Sequence, residues 1–207
     1  MAEIKHIFII CGEASGDLNA ASLAKAILQI SPETKISGVG GILLRQTPAT
    51  IYRDIKDLSV IGLFDVLKKL PGFFSLQKLI LDKIKEEKPD AIILVDFSGF
   101  NLRLAKKINK TIPVIYYVSP QVWASRPGRV KTIKKYIHKM LVLFKFEEEF
   151  YKRYGIDVTF VGHPLLDIVG PTMEEKEFLN KFGLLEAKTT ITLLPGSRKQ
   201  EIRIFCQ

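Results

Sequence analysis

The sequence has 207 residues, a formal net charge of +9 and an isoelectric point near 9.5. Hydrophobic residues make up 47 % and charged residues 26 %, which excludes a disordered chain and indicates a globular one. The basic charge suits an anionic partner, such as nucleic acid, a phosphate-bearing substrate or an anionic membrane face, and does not choose among them. Cys11 and Cys206 lie at opposite ends of the chain, which excludes a secreted disulfide scaffold and a cysteine metal cluster.

The sequence carries no signal for membrane insertion or secretion. No uninterrupted run of about 18 apolar residues occurs, so we predict no membrane-spanning helix. Glu3 and Lys5 place charges at the start of the chain, and no signal peptide is recognised. We therefore expect a cytosolic protein of bacterial type.

Short apolar runs alternate with helical periods up to about residue 165. The runs predict strands at His6–Cys11, Lys35–Val39, Ala91–Val95, Pro113–Val118, Met140–Phe144 and Val158–Val161. The helical periods cover Leu18–Ile30, Leu102–Ile108, Gly128–Lys139 and Glu147–Tyr154. This alternation predicts right-handed βαβ crossovers and an α/β fold with a doubly wound, Rossmann-like parallel sheet.

The pattern changes after Asp167, where the break Gly170-Pro171 precedes an acidic helix. A strand is predicted at Thr189–Leu194, and a further helix at Lys199. One strand and one helix cannot cover both faces of a sheet, so we expect a second α/β domain that is truncated here. We therefore predict a first domain at 1–168, a linker and helix at 169–187, and the beginning of a second domain at 188–207.

The loop Gly12–Asp17 follows the first predicted strand and opens the first helix. Its glycines permit a tight turn, and a helix N-terminus offers N–H groups to a polar or anionic ligand. The alternative is a helix cap formed by Ser15 or Asp17. The loop is not the full G-x-G-x-x-G fingerprint and no G-x-x-x-x-G-K-[ST] loop exists, so a nicotinamide cofactor is disfavoured.

Asp96 follows the predicted strand Ala91–Val95 directly. The carboxyl ends of parallel strands face the ligand crevice, which is where a general base needs to lie. The alternative is that Asp96 caps a helix or shapes a turn. Because Asn101 is the better cap for the following helix, we predict that Asp96 is left for chemistry.

The segment Ser119–Trp123 follows the fourth predicted strand, and Arg126 and Arg129 lie beyond it. The single tryptophan lies beside polar side chains and cations, as in a wall that faces a sugar or a lipid. A purely structural tryptophan is the alternative.

The segment 58–81 has more apolar residues than helices packed on one sheet require. It includes Leu70, Phe73 and Phe74, with lysines interspersed. Aromatic and aliphatic side chains mixed with lysines suit the surface of an anionic bilayer. Ordinary core helices would explain part of the pattern.

Two further motifs lie near the C-terminal end of the sequence. His163 has no cysteine or second histidine at metal-ligand spacing, so a metal site is not predicted. No G-x-S-x-G elbow is present, which disfavours a serine hydrolase. The loop Pro195–Arg198 follows a predicted strand and ends in a cation, which suits a phosphate oxygen; a simple tight turn is the alternative.

Taken together, these segments resemble the lipid-A-disaccharide synthase family over nearly the whole chain. The blocks that carry the resemblance are, in order, GEASGD (12–17), LSVIGLFDVLKKLP (58–71), VDFSGFN (95–101), YYVSPQVWA (116–124), GRVKTIK (128–134), VGHPLLD (161–167) and LLPGSRKQEI (193–202). Several such blocks in register are more specific than any single glycine loop.

The resemblance implies a metal-independent, inverting glycosyltransferase of GT-B architecture, with two Rossmann-like domains that face a cleft. Such an enzyme joins UDP-2,3-diacylglucosamine to 2,3-diacylglucosamine 1-phosphate and releases UDP and the β(1→6) disaccharide of lipid A. It uses no cofactor, because the UDP-sugar is a substrate. The resemblance also implies a cytoplasmic protein, peripheral on the inner face of an anionic membrane, that has no nucleic-acid partner and can form a homodimer when full length.

The resemblance also implies roles for single residues, with Asp96 as the catalytic base. The implied substrate contacts are Glu13, Ser15, Asp17, Ser98, Asn101, Gln121, Trp123, Arg129 and His163. From the residue patterns above, we predict that Gly196, Ser197 and Arg198 bind the nucleotide phosphates and that Leu70, Phe73 and Phe74 contact the membrane.

Most of the donor-binding domain that the resemblance implies lies outside this sequence. We therefore expect the 207-residue chain to be inactive alone. Two alternatives remain: a non-catalytic lipid- or nucleotide-binding fragment, and a nicotinamide-dependent oxidoreductase, which the missing fingerprint disfavours.

Overall fold

The computed structural model describes residues 4–56, 70–108, 110–184, 189, 191–194 and 203. The chain forms two compact units, Met1–Asp167 and Ile168–Gln207. No helix in this described part is both long and apolar enough to cross a membrane.

The first unit is built on a parallel sheet, which confirms the predicted α/β fold class. Its strands are β1 (His6–Ile10), β2 (Lys35–Gly40), β3 (Thr50–Asp54), β4 (Ala91–Val95), β5 (Val114–Tyr117), β6 (Lys139–Val142) and β7 (Val158–Phe160). They lie in the order β3-β2-β1-β4-β5-β6-β7, with every pair parallel. The order reverses beside β1, so the carboxyl ends of β1 and β4 border the crevice where doubly wound sheets bind ligands.

Helices connect these strands on both sides of the sheet. They are α1 (Ala14–Ile30), α2 (Ile42–Arg45), α3 (Leu70–Glu87), α4 (Ser98–Ala105), α5 (Arg129–Tyr136) and α6 (Lys145–Arg153), followed by a 3₁₀ turn at Pro164–Asp167. The second unit contains α7 (Glu175–Lys181).

The core is formed by the apolar runs that the sequence shows. Every residue of β1 and of β4 is buried, because helices cover both faces of a parallel sheet. Small residues of α1 (Ala20, Ala21 and Ala24) let that helix approach the sheet closely. At Gly38, with φ +151°, an added Cβ would lie 1.8 Å from the carbonyl oxygen of Ile9, so the β1–β2 pairing requires glycine there.

Several predicted boundaries were wrong. α1 begins at Ala14 rather than Leu18, and α4 begins at Ser98 rather than Leu102, because the chain turns sharply at each strand end. Lys139, predicted to end a helix, belongs to β6. The edge strand β3 was missed, because its sequence TIYRD has no continuous apolar run and its residues are only partly buried.

The strand predicted at Thr189–Leu194 is not found in the described part of that segment. Residue 189 and residues 191–194 lie in no strand, and Ile191 and Leu194 are 81 % and 90 % exposed. A strand forms only where a neighbouring strand pairs with its backbone groups, and none lies beside these residues in the described part. The rest of this motif, including Gly196, Ser197 and Arg198, and residues 58–69 of the apolar segment 58–81 lie outside the described residues.

A polar cluster joins the end of α3 to β2 and β3. The carboxylate of Glu87 accepts hydrogen bonds from Lys35, Ser37 and Tyr52, and the ring of His6 lies 2.8 Å from the Ser37 hydroxyl. Burial raises the pKa of Glu87, but the three hydrogen bonds outweigh it and lower that pKa to about 2. The cluster therefore favours the ionised carboxylate in the folded state.

We expect Glu87→Gln to remove part of the acid sensitivity of folding. The pKa of Glu87 is lower in the folded chain than its ordinary value of 4.5, so its stabilisation is complete above pH 4.5 and is lost as the pH falls towards about 2. Urea unfolding at several pH values measures this. The Glu87→Gln variant should be less stable than the parent at neutral pH, and the difference should shrink in that window. Glu86→Gln, at an exposed neighbour, is the matched control, and equal pH profiles of the Glu87→Gln variant and the parent would contradict the assignment.

Candidate active site at the carboxyl end of the sheet

Three loops meet where β1, β4 and β5 end. Because the strands are parallel and adjacent, the segments that follow Ile10, Val95 and Tyr117 emerge at the same edge. The structure confirms that the loop 12–17 and the Asp96 loop lie together, since the Ser15 hydroxyl donates to Asp96 Oδ2 over 3.4 Å. This edge is the candidate active site.

The backbone at this edge adopts conformations that non-glycine residues rarely take. Asp96 and Phe97 have φ of +48° and +45°, and Val118, just after β5, has φ +62°. Such conformations cost free energy, about 1–3 kcal/mol each, and persist where the surrounding structure enforces them. The Phe97 ring also packs so close to Gly12 that an added Cβ there would lie 2.2 Å from it.

Two buried side chains hold the strained turn at Asp96. The carbonyl oxygen of Asp96 accepts hydrogen bonds from the Tyr116 hydroxyl (2.5 Å) and from Asn101 Nδ2 (2.9 Å). Asn101 Nδ2 also donates to the carbonyl oxygen of Val95. These bonds fix the peptide that carries the Asp96 side chain.

The predicted roles of Asn101 are therefore corrected. It is not the helix cap, because α4 already begins at Ser98 and Phe97 occupies the cap position. Its side chain is fully buried, which leaves no surface for a substrate contact. Asn101 instead positions the Asp96 turn; Tyr116, which shares this role, was missed because a tyrosine inside an apolar strand gives no polar signal in the sequence.

The Asp96 carboxylate is partly buried and faces open space. Burial raises its pKa above the ordinary value, while the N–H of Phe97 and the Ser15 hydroxyl lower it to a smaller extent. A carboxylate with a raised pKa is a stronger base once ionised, which suits proton abstraction.

A polar groove of about 510 Å³ opens beside Asp96. It brings together four of the predicted site residues, Asp96, Ser98, Gln121 and Arg129, and Arg129 Nη1 donates to the Ser98 hydroxyl over 3.2 Å. Arg126, also in the lining, was not among the predicted contacts. The remaining lining residues are Val118, Ser119, Pro120, Val122 and Ser125.

A buried glutamate fixes the loop after β5 through a hydrogen bond. The Ser119 hydroxyl donates to Glu147 Oε1 over 2.6 Å, and the Tyr151 hydroxyl donates to the carbonyl oxygen of Pro120. Glu147 is 4 % exposed. These bonds fix one wall of the groove while Gln121 stays exposed at its surface.

An aromatic pocket of about 260 Å³ adjoins the groove. The rings of Phe73, Phe97 and Phe100 form its wall, with centroids 5.3–6.1 Å apart. Arg126 and Arg129 line both this pocket and the groove. No local pattern in the sequence indicated this pocket, because its wall joins Phe73 to Phe97 and Phe100, which lie more than 20 residues away along the chain.

The predicted roles of Asp17 are also corrected. Its side chain is 2 % exposed, and its two oxygens accept hydrogen bonds from the backbone N–H groups of Gly41, Leu43 and Leu44 at 2.7–3.2 Å. It therefore stabilises the start of α2 rather than capping its own helix or contacting a substrate. Glu13 precedes α1 and is exposed, so it remains a predicted substrate contact.

Trp123 and His163 lie on a second aromatic surface. The Trp123 ring is 43 % exposed and meets Phe146 edge-on at 5.0 Å, and Phe144 lies between Phe146 and His163. His163 Nδ1 accepts a hydrogen bond from the N–H of Leu165. Both residues stay predicted contacts. Within the described residues, no group of three or more histidine, cysteine or acidic side chains is arranged to hold a metal ion.

Comparisons with known proteins identify the family of the chain. A family model described as lipid-A-disaccharide synthetase matches residues 7–207. The lipid-A-disaccharide synthase of Syntrophus aciditrophicus is 45 % identical over 96 % of this chain and 52 % of its own length, and that of Coxiella burnetii is 40 % identical over 96 % and 53 %. The chain thus spans about half the length of the curated relatives it matches.

A solved glycosyltransferase from Rickettsia africae aligns with 90 % of this chain and with 51 % of its own chain, at 14 % identity and a TM-score of 0.48. The family match covers nearly every residue, and the chain belongs to the lipid-A-disaccharide synthetase family.

Proposed function

We propose that the full-length protein containing this chain is an inverting glycosyltransferase. It joins UDP-2,3-diacylglucosamine to 2,3-diacylglucosamine 1-phosphate and releases UDP and a β(1→6)-linked disaccharide. Membership of the lipid-A-disaccharide synthetase family supports this proposal. The observation that carries it is Asp96, a carboxylate with a raised pKa at the carboxyl end of a central strand, beside an open groove.

The mechanism needs one base and a stabilised leaving group. Asp96 takes the proton of the acceptor 6-hydroxyl while that oxygen forms a bond to the anomeric carbon of the donor. The bond from this carbon to the UDP oxygen breaks on the opposite face, which inverts the configuration. The charge that develops on UDP is stabilised by a helix N-terminus and arginine, and we assign this role to Gly196, Ser197 and Arg198, which lie outside the described residues.

The direct test is turnover of the two substrates by the purified full-length protein, measured as UDP release and as disaccharide formed. We expect the 207-residue chain alone to give no turnover, because it spans about half the length of its relatives and proximity of two bound substrates supplies much of the rate. Absence of disaccharide from the full-length protein would overturn the proposal.

We also propose that the protein binds the cytoplasmic face of an anionic membrane peripherally. Phe74 on α3 supports this, because its side chain is 64 % exposed on a chain of net charge +9. Phe73 requires a correction: it packs against the core and against Phe97 and Phe100, so it is not free to enter a bilayer. The side chain of Leu70 lies outside the described set.

We expect Phe74→Ser to weaken binding to vesicles that contain anionic lipid. Loss of one interfacial phenylalanine should raise the dissociation constant by about three- to tenfold. Vesicle co-sedimentation measures this, with circular dichroism to check folding. Ile30→Ser, at an 87 % exposed residue ending α1, is the control and should bind as the parent does. Equal partitioning of the Phe74→Ser variant and the parent would remove Phe74 from the membrane contact.

A further inference from the structure

We propose that the aromatic pocket binds one acyl chain of the phosphate-bearing substrate, and that Arg126 and Arg129 hold its phosphate. The identity of that substrate rests on the proposed function. The geometry of the pocket does not depend on that identity, and the pocket has no role in the catalytic step proposed above.

The pocket is built to receive an aliphatic chain. Phe73 from α3 and Phe97 and Phe100 from the Asp96 loop and α4 form an apolar wall. The exposed Phe74 also lines the pocket. Such a wall offers no hydrogen bonds to the hydroxyl groups of a sugar. An alkyl chain gains free energy there because its surface leaves water.

The rim of the pocket is built to receive an anion. Arg103, Arg126 and Arg129 line it, and across the described part of the chain none of their guanidinium groups is paired with a carboxylate. Arg126 has φ +58°, a strained backbone conformation that persists only because the surrounding structure enforces it. Unpaired guanidinium groups beside an apolar wall suit a phosphate, which they can bind through two hydrogen bonds each.

The two cavities are joined through the same arginines. Arg126 and Arg129 line both the aromatic pocket and the groove that contains Asp96. An amphiphile whose chain fills the pocket therefore has its phosphate at the arginines and its sugar in the groove. The acyl chain and the phosphate thus determine how the sugar lies relative to Asp96.

Straight-chain alkyl phosphates below their micelle concentration test this on the 207-residue chain. We expect each added methylene to tighten binding by up to about fourfold until the pocket is filled, after which the affinity levels off. Inorganic phosphate and alkyl alcohols of matched length should each bind at least about tenfold more weakly. An alcohol that binds as well as the phosphate would overturn the arginine site, and inorganic phosphate that binds equally would overturn the chain site.

A glycine at the pocket allows a steric test. An added Cβ at Gly99 meets nothing within 4 Å, so Gly99→Leu should fold normally and place its side chain in the pocket. We expect alkyl phosphate binding to weaken by at least about tenfold. Gly128→Leu, which also has open space and does not line the pocket, is the matched control. Unchanged binding by a folded Gly99→Leu variant would overturn the proposal.

A second variant pair tests the cations if the glycine variant does not fold. The double change Arg126→Gln and Arg129→Gln should weaken alkyl phosphate binding and leave the weak alcohol binding as it was. Arg153→Gln, on the exposed surface of α6, is the charge control. Loss of binding in this control to the same degree would mean that net charge, and not the pocket, attracts the probe.

Competition separates this proposal from the proposed function. The monophosphorylated diacylglucosamine should displace the alkyl phosphate from the parent chain. Displacement supports both proposals. If alkyl phosphates bind with the expected length dependence but the sugar does not displace them, the pocket is an acyl-chain site. The substrate that we assign to it would then be overturned.

Discussion

In the full-length protein, Asp96→Asn is expected to lower kcat by about 10²–10⁴-fold, the usual contribution of a general base. Asparagine keeps the shape of the side chain and the hydrogen bond at Ser15 but has no basic oxygen. The bonds from Tyr116 and Asn101 go to the backbone of residue 96, so the turn should persist. The KM values of both substrates should therefore change little, because the lost interaction is made to the proton that is transferred in the transition state and not to the bound substrates.

The pH profile gives an independent reading of the same residue. The base must be ionised to act, so kcat/KM of the parent should rise with pH through the pKa of Asp96, which burial places above that of an ordinary aspartate. This acidic limb should disappear in the Asp96→Asn variant. Asp82→Asn, at an exposed position on α3, is the matched control. A fall in kcat below about threefold would mean that Asp96 only shapes the loop, and Glu13 would be the next candidate.

The second large effect is on stability. Asp17→Ala should lower the free energy of unfolding by about 3 kcal/mol or more, since it leaves three backbone N–H groups at the start of α2 without their acceptor, at about 1–3 kcal/mol each. Urea unfolding followed by the fluorescence of Trp123, the single tryptophan, measures this in the unit Met1–Asp167. Asp17→Asn should be intermediate, because its amide keeps one accepting oxygen.

The exposed Asp82 again provides the comparison. Asp82→Ala should change the free energy of unfolding by less than about 0.5 kcal/mol. If Asp17→Ala were as stable as this control while the full-length enzyme carrying it lost activity, Asp17 would be a substrate contact, as first predicted from the sequence. One unfolding curve and one activity assay thus distinguish a structural role of Asp17 from a substrate contact.

The sequence by itself determined the class of fold and the edge of the sheet that carries the site. Apart from His6, the runs at β1 and β4 are apolar at every position, as expected for strands that are covered on both faces. Once the strands are parallel, the segments after them must emerge at one edge. From the strand ends we predicted ligand contacts in the loops at Asp96 and at Ser119–Trp123, and the structure places Asp96 and Gln121 around one groove.

Only the tertiary structure decided which of the polar residues face the groove and which hold the fold. Asp17 is bonded to N–H groups 24–27 residues away, and Asn101, which was expected to cap the following helix, is buried and bonded to the backbone of the turn at Asp96. The aromatic pocket joins Phe73 to Phe97 and Phe100 across two helices. Local patterns in a sequence report the periodicity of one element, whereas these contacts depend on how elements pack against each other. A polar side chain near a strand end looks the same in the sequence whether it faces the groove or the backbone of its neighbour.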